Sequence, residues 1–263
     1  MTSAPRALVT GASAGIGAVY ARRLARTGHH LVLVARRADR LEALAAELRE
    51  AHGVEVEALA ADLEADDGIA RVETRLAADP PVDLLVNNAG FATRAPVARF
   101  DAAAFEAMVR VDILALARLS AAAMARMSAA GRGTIVNVAS GTAFMQMPGN
   151  AGYGATKNFV MGFTRTMQAE AAGTGVRVQL LIPGVIATDF HAVAGNSLDR
   201  FPPERVMSPE DLVTASLRAL EMDEPVCIPS LPEISDWQAY EAAEQAIAAN
   251  VSRDRMAARY HPS

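Results

Sequence analysis

The sequence TGASAGIG, residues Thr10 to Gly17, follows a short apolar run and leads directly into the helical sequence AVYARRLARTG. Glycines between a first strand and a first helix let backbone N–H groups approach a pyrophosphate, and a helix N-terminus favours negative charge. The spacing is TGxxxGxG rather than GxGxxG, and glycine turns also cap helices. In this context we interpret the turn as a nucleotide-binding βα unit.

Short apolar runs alternate with longer segments of helical periodicity along the chain, which is typical of βαβ units around a parallel sheet. The helical segments include Arg37–His52 and Asp66–Ala78. We therefore predict an α/β fold: one Rossmann-type domain over residues 1–263, with a doubly wound parallel sheet of about seven strands covered by helices on both faces. The predicted strands are Ala7–Thr10, Leu31–Val34, Val54–Leu59, Leu84–Asn87, Thr134–Val138, Val176–Ile182 and Pro225–Ile228.

The composition argues against several classes of function. The formal net charge is −5, and no basic cluster of the kind that binds nucleic acid is present. No run approaches the roughly 18 uncharged apolar residues of a membrane span, and the N-terminal residues lack a secretory hydrophobic region. The five histidines have no metal-ligand spacing, and Cys227 is the single cysteine. We expect a cytoplasmic protein without nucleic acid, membrane or metal as a partner.

Two arginines stand at the end of the second predicted strand. An acid at this position contacts the ribose 2′-hydroxyl in NAD binders, whereas an arginine accommodates a 2′-phosphate. The sequence reads LVLVARR, with Arg36 and Arg37 at this position and no acid before Asp39. A solvated basic helix start is the alternative, but a basic pair is unfavourable at the positive end of a helix dipole. The pair favours NADP(H).

Regular patterning lapses between Thr188 and Met207, and such long loops are usually lids or disordered. We interpret residues 188–207 as a substrate lid, followed by a helix with Ser208 as N-cap and Pro209 at its first position. A last amphipathic stretch runs roughly from Ser235 to Asn250. Apolar residues near the expected site indicate a moderately hydrophobic pocket, with core packing as the alternative. These residues are Phe144, Met145, Met147, Phe190 and Phe201.

A tyrosine and a lysine, Tyr153 and Lys157, are one helical turn apart and therefore share a helix face. A chance surface pair is the alternative, but Ser140 ends a strand 13 residues before Tyr153. Together with NNAG (Asn87 to Gly90) and Pro183–Gly184, this ordered set resembles the short-chain dehydrogenase/reductase family over nearly the whole chain.

The resemblance implies roles for the three catalytic side chains. Ser140 would hydrogen-bond the substrate oxygen, and Tyr153 would pass the proton, as acid in reduction and as base in oxidation. Lys157 would hold the nicotinamide ribose and lower the pKa of Tyr153, because a nearby ammonium favours the phenolate. NADP(H) would supply or accept the hydride.

One position departs from the family pattern. Members usually carry an asparagine in the fourth helix, where it helps order a water near the lysine, and this chain has Asp112. If the backbone carbonyl does the work, Asp112 substitutes and the proton relay survives. If the side-chain amide matters, turnover is weak. A carboxylate there would also stabilise the Lys157 ammonium and screen its effect on Tyr153.

The resemblance also implies the cofactor contacts, with adenine at Asp62 and the carboxamide at Ile186 and Thr188. Asn88 has a strand-bracing role as its alternative. The implied set is Gly11, Ser13, Gly15, Ile16, Gly17, Arg36, Arg37, Asp62, Leu63, Asn88, Ala89, Gly90, Tyr153, Lys157, Pro183, Gly184, Ile186 and Thr188.

Three functions follow from this set, in decreasing order of preference. The first is an NADP(H)-dependent oxidoreductase acting on a carbonyl or secondary alcohol of a small, moderately hydrophobic molecule. The second is a catalytically weak NADP(H)-binding regulatory protein. The third is an epimerase or dehydratase, which would need a larger C-terminal region than the 75 residues after Thr188. The resemblance implies a homodimer or homotetramer built on the helices at Ala102–Ala130 and Ala155–Ala172.

Overall fold

The computed structural model describes residues 4–195 and 197–261. Its centre is a seven-stranded parallel sheet with the order β3-β2-β1-β4-β5-β6-β9. This confirms the predicted α/β class, and each of the seven predicted runs overlaps one of the strands. The strands are β1 (Arg6–Thr10), β2 (His30–Ala35), β3 (Val56–Ala60), β4 (Leu84–Asn87), β5 (Gly133–Val138), β6 (Val176–Leu181) and β9 (Val226–Cys227).

The strand order reverses direction between β1 and β4. β1 pairs with β2 on one side and with β4 on the other, with Ala7 opposite Leu84. Chains leaving the carboxyl ends of these two strands turn to opposite faces of the sheet, and a crevice opens between them. In open α/β sheets this is where ligands bind.

Helices cover both faces because the strands are apolar on both sides. One buried cluster includes Tyr20, Leu41 and Leu212, and the other includes Ile69 and Leu119. Each cluster lies between the sheet and a set of helices, which are α1, α2 and α8 on one face and α3, α5 and α6 on the other. The helices are α1 (Gly15–Arg26), α2 (Ala38–His52), α3 (Asp66–Ala77), α4 (Ala102–Val109), α5 (Leu116–Ala130), α6 (Ala151–Ala171), α7 (Phe190–Val193), α8 (Pro209–Glu221) and α9 (Ile234–Ala248).

The long helical region at residues 102–130 is interrupted by a π-helical turn. Arg110–Ala115 forms this turn between α4 and α5, and Asp112 lies within it. The sequence pattern does not predict this interruption, because a single π turn leaves the apolar periodicity of its neighbours nearly intact. Such turns occur frequently at functional sites.

The predicted lid is more regular than its sequence indicates. It contains α7, and a two-residue strand β8 (Val206–Met207) pairs in parallel with β7 (Val185–Ile186) at its base. Two-residue strands are too short to show a period in sequence. The N-cap prediction is confirmed, since the Ser208 hydroxyl accepts a hydrogen bond from the Asp211 N–H. Asn196, inside the predicted lid, lies outside the described residues, as do residues 1–3, 262 and 263 of the predicted domain.

The chain divides into two compact units, Met1–Pro229 and Ser230–Ser263. The first contains the whole seven-stranded sheet. The second contains α9, in which the rings of Trp237 and Tyr240 lie 5.3 Å apart. Over the described residues, none of the helices is both long and apolar enough to cross a bilayer, and no group of three potential metal ligands occurs.

Candidate active site

The glycine turn lies tightly against the carboxyl end of β4. Gly11 has a left-handed φ of +68°, and a Cβ there would lie 2.8 Å from Asn88 Nδ2. A Cβ on Gly17 would lie 2.7 Å from the same atom and would also collide with the Gly11 carbonyl oxygen. Both positions therefore require glycine. The turn leaves its backbone N–H groups and the start of α1 open to an anionic group, which fits a dinucleotide pyrophosphate.

Asn88 braces the strands. Its side-chain amide donates to the Thr10 carbonyl at 2.9 Å, while the Thr10 hydroxyl accepts from the backbone N–H groups of Asn88 and Ala89, each at 3.0 Å. The alternative structural role of Asn88 is thus present in the fold. It holds the crevice between β1 and β4 at a fixed width.

The two arginines after β2 have different partners. The Arg36 guanidinium forms an ion pair with Glu64 at 2.6 Å. The Arg37 guanidinium donates two hydrogen bonds to the Ser13 hydroxyl, at 2.9 and 3.3 Å. Ser13 belongs to the glycine turn, so Arg37 lies beside the nucleotide crevice. A cation at this place fits a ribose 2′-phosphate.

The segment after β3 carries two of the predicted cofactor residues. Asp62 is exposed, and its carboxylate accepts a hydrogen bond from the Glu64 N–H at 3.0 Å. Leu63 is buried in the core. Glu64 is not predictable from the sequence as a partner of Arg36, because the two residues meet only when β2 and β3 pair in the sheet.

Ser140 lies just beyond β5 and is buried. Its hydroxyl accepts a hydrogen bond from the Thr142 N–H at 3.2 Å and caps a short 3-10 turn over Gly141–Phe144. The Gly141 N–H donates to the Pro183 carbonyl at 2.8 Å, which ties this turn to the segment after β6. The same hydroxyl also hydrogen-bonds the Tyr153 phenol, so the two hydroxyl groups lie within reach of each other.

Tyr153 and Lys157 lie on the first turns of α6 and are both buried. The Lys157 ammonium is 5.5 Å from the centre of the Tyr153 ring. It also donates to the Val138 carbonyl at 3.4 Å and lies 3.4 Å from a carboxylate oxygen of Asp112. The lysine is therefore held between the end of β5 and the π turn.

Asp112 is completely enclosed. One carboxylate oxygen accepts a hydrogen bond from the Phe91 N–H at 3.1 Å, and the other accepts from the Thr156 hydroxyl at 3.2 Å. Gly90 precedes Phe91 in the chain, and a Cβ on Gly90 would lie 2.8 Å from the Asp112 carboxylate. Phe91 and Thr156 are not predictable from the sequence, since neither residue type signals a role before the contact is known.

Asp112 and Lys157 each shift the pKa of the other. Burial raises the pKa of Asp112, although Lys157, the Phe91 N–H and Thr156 act against the rise. Burial lowers the pKa of Lys157, but Asp112 and Tyr153 outweigh it and the net shift is upward. This agrees with the expectation that Asp112 stabilises the ammonium.

The pKa of Tyr153 is raised overall, mainly by burial and further by Asp112. Lys157, a hydrogen bond with Ser140 and the charge of Arg94 all act in the opposite direction. The expected downward influence of Lys157 is present, but it does not determine the net direction in this structure. Desolvation of the phenolate is the larger effect.

A buried polar chain supports the site from below. The Asn87 side-chain amide donates to the Ser120 hydroxyl and to the side-chain oxygen of Asn137, both at 2.9 Å. The Asn137 amide donates to the Thr164 hydroxyl at 3.1 Å. The chain links β4, α5, β5 and α6, so it fixes the helix that carries Tyr153 relative to the strand that precedes Ser140.

The segment after β6 closes the crevice from the other side. A Cβ on Gly15 would lie 3.2 Å from the Thr188 side chain, so this segment reaches the glycine turn. Ile186 is buried, while Gly184 next to Pro183 is exposed.

Aromatic rings extend from Tyr153 into the predicted lid. The Tyr153 and Phe190 rings are 5.8 Å apart, Phe190 and His191 are 5.8 Å apart, and His191 and Phe201 are 5.5 Å apart. Tyr153 also packs in a cluster with Phe190 and Met108. Aromatic and apolar side chains therefore pack on one side of the Tyr153 phenol.

A family model described as short chain dehydrogenase matches residues 5–198. The chain belongs to the short-chain dehydrogenase/reductase family. The resemblance read from the sequence motifs is confirmed.

Solved structures of other family members are similar over nearly the full chain. A short-chain dehydrogenase from Sphingobium yanoikuyae in complex with NADPH is 40% identical, with a TM-score of 0.94, and 98% of this chain and 100% of that chain are covered. A bulky-bulky ketone specific alcohol dehydrogenase from Comamonas testosteroni is 36% identical, with a TM-score of 0.90 and coverage of 99% and 100%.

Curated relatives include a human very-long-chain 3-oxoacyl-CoA reductase, 31% identical over 202 residues. The match covers 75% of this chain but spans only 64% of the length of that reductase. A 3-oxoacyl-[acyl-carrier-protein] reductase from Synechocystis is 35% identical over 82% of this chain and 89% of its own length. Family members thus differ in substrate while sharing the fold.

Proposed function

We propose that the protein is an NADP(H)-dependent oxidoreductase that interconverts a carbonyl compound and its alcohol. The observation that carries the proposal is that Ser140 hydrogen-bonds the Tyr153 phenol, while the Lys157 ammonium lies 5.5 Å from the centre of the same ring. A hydroxyl donor, a phenol and an ammonium in one buried place suit proton transfer to a carbonyl oxygen.

The nucleotide would be held by the glycine turn, Arg37 and the segment at Ile186 and Thr188. NADP(H), when bound, supplies or accepts the hydride. The NADPH complex of the Sphingobium yanoikuyae relative supports the choice of nucleotide. The remaining contacts are those implied by the family pattern.

The chain's own residues move and orient the proton. The Ser140 hydroxyl donates to the substrate oxygen and polarises the carbonyl. The Tyr153 hydroxyl delivers its proton to that oxygen in reduction, and the Lys157 ammonium stabilises the phenolate that remains. Asp112 fixes the ammonium through a contact of 3.4 Å, and the enclosed site keeps bulk water from these groups.

The substrate would be a ketone or aldehyde with bulky apolar substituents. The Phe190 ring lies 5.8 Å from the Tyr153 ring, and His191 connects it to Phe201, so aromatic side chains line one side of the space beside the phenol. Met145, five residues after Ser140, is exposed. The Comamonas testosteroni relative, described as specific for bulky-bulky ketones, supports this class. The 3-oxoacyl reductases among the relatives make acyl thioesters a second class to test.

The decisive experiment follows NADPH oxidation across a panel of ketones, aldehydes, quinones and 3-oxoacyl thioesters. Tyr153→Phe should lose about 10²- to 10⁴-fold in turnover, because it removes the proton donor. Tyr260→Phe, at an exposed tyrosine, is the matched control and should keep full activity. Turnover that persists in Tyr153→Phe would refute the mechanism.

A catalytically weak regulatory protein is the second candidate, and the buried Asp112 beside Lys157 favours it. The carboxylate raises the pKa of Tyr153, which opposes phenolate formation. If the wild type binds NADPH but turns over none of the panel, Asp112→Asn separates the two functions. Activity gained in that variant would identify Asp112 as the cause, whereas continued inactivity would favour a substrate outside the panel.

We further propose a homo-oligomer assembled through α5 and α6, in the cytoplasm. Leu114, in the π turn just before α5, and Phe159, on α6, are exposed, and the Phe159 ring stacks on Phe163 at 5.4 Å. Light scattering of the purified protein tests the assembly, and Phe159→Glu should shift the mass towards that of a monomer.

A further inference from the structure

The two arginines at the nucleotide crevice are in different electrostatic states. Arg37 donates to a neutral hydroxyl, that of Ser13, and keeps its whole charge for an incoming anion. Arg36 is paired at 2.6 Å with the Glu64 carboxylate. Arg37 can therefore bind a phosphate directly, whereas Arg36 must first separate from the Glu64 carboxylate.

A backbone hydrogen bond helps to position Glu64. Its N–H donates to the Asp62 carboxylate at 3.0 Å in the turn that follows β3. Its side chain is 30% exposed, compared with 61% for Arg36, so the acid is the more buried member of the pair. β2 and β3 are neighbours in the sheet, with Ala35 opposite Ala60, which brings the two residues together.

We propose that Glu64 limits the preference of this protein for NADP(H) over NAD(H). The proposal rests on the NADP(H) function proposed above. The carboxylate occupies Arg36, and the 2′-phosphate must displace it to gain a second guanidinium. The carboxylate also places a negative charge close to a dianionic group. Arg37 with Ser13 is then the main phosphate ligand, and Glu64 is a specificity-determining residue that acts through Arg36.

The size of the effect follows from exposure. An exposed ion pair is a weak interaction, so releasing Arg36 should tighten NADPH binding by about two- to fivefold. NADH has no 2′-phosphate, and its affinity should not change. At high ionic strength the difference should shrink, because salt screens exposed charges.

The test measures the dissociation constants of NADPH and NADH from nucleotide fluorescence on titration with the protein, without turnover. Wild type, Glu64→Gln and Glu221→Gln are compared at low salt and at high salt. Glu221 forms a 2.7 Å exposed ion pair with Arg218 on α8, so its variant makes the same change in charge away from the crevice.

At low salt, Glu64→Gln should prefer NADPH over NADH by about two- to fivefold more than the wild type does, whereas Glu221→Gln should show the wild-type preference. At high salt, the preferences of all three proteins should become nearly equal. Retained NADH binding shows that the variant is folded. Three results would overturn the inference: unchanged NADPH affinity, weaker NADPH affinity, or equal tightening of both nucleotides. Wild-type protein that binds neither nucleotide would instead refute the proposed function itself.

Discussion

Two acid–base pairs of this protein, Arg36–Glu64 and Lys157–Asp112, have opposite surroundings. The first is the shorter, at 2.6 Å, but its side chains are 61% and 30% exposed. The second is 3.4 Å long, and its side chains are 6% and 0% exposed. Water screens the first pair, while the second has exchanged hydration for protein partners. Burial rather than the distance between the charges therefore determines how much each pair contributes to stability.

The largest expected effect is on the buried pair. Lys157→Met leaves the Asp112 carboxylate without its ammonium, which should lower the free energy of unfolding by about 3–5 kcal/mol at neutral pH. Turnover should be lost as well. Urea unfolding measures the first effect. The deficit should shrink as the pH falls, because protonation removes the unpaired buried charge.

The matched control at the exposed pair is Arg36→Met, which should cost less than about 1 kcal/mol. Combining Lys157→Met with Asp112→Asn should recover part of the lost stability, since both charges are then gone. A Lys157→Met variant as stable as the wild type would break the contrast between the two pairs.

At the exposed edge, we expect charge to matter more for nucleotide binding than for stability. Arg37→Gln should weaken NADPH binding by about 10- to 100-fold, because charge-assisted hydrogen bonds to the phosphate are lost. NADH affinity and thermal stability should stay near wild-type values. Fluorescence titration and a melting curve check this, and an equal loss for both nucleotides would show that Arg37 does not read the phosphate.

The charge of Asp112 should be visible in the pH dependence of catalysis. Asp112 raises the pKa of Tyr153, so Asp112→Asn should lower that pKa. Alcohol oxidation needs the phenolate, and its rate rises with pH through this pKa. The rising limb of the pH–rate profile should therefore move to lower pH in the variant. Asp66→Asn, at an exposed carboxylate, is the control. An unchanged limb would mean that Asp112 does not act on the phenol.

The smallest effect should be the coupling energy of the exposed pair. A double-mutant cycle with Arg36→Gln and Glu64→Gln should give between about 0 and 1 kcal/mol in the free energy of unfolding. Urea unfolding of the four proteins checks this value. A larger coupling energy would show that the Arg36–Glu64 pair contributes mainly to the stability of the fold.

Local patterns were sufficient for the fold class. Uninterrupted apolar runs such as LVLVA predict strands buried on both faces, and the glycine turn predicts the first βα unit. The helix starting at Pro209 follows from Ser208 and its neighbours alone, because capping is a local interaction. Ser140, Tyr153 and Lys157 were found because their order and spacing match a family pattern.

The surroundings of those residues were not predictable in the same way. The π turn that aims Asp112 at Lys157 leaves no periodic signal. The contacts of Asp112 with Phe91 and Thr156, and of Arg36 with Glu64, join residues that are 21, 44 and 28 positions apart. Their partners are set by how strands and helices pack.

The amino-acid sequence thus specifies the sheet, the glycine turn and the ordered set of Ser140, Tyr153 and Lys157, because each depends on residue type and short-range spacing. The tertiary structure specifies how these side chains behave. The net rise in the pKa of Tyr153, the enclosure of Asp112 and the unequal freedom of the two arginines all depend on desolvation and on long-range contacts. Those are properties of the packed chain, and no segment of it carries them alone.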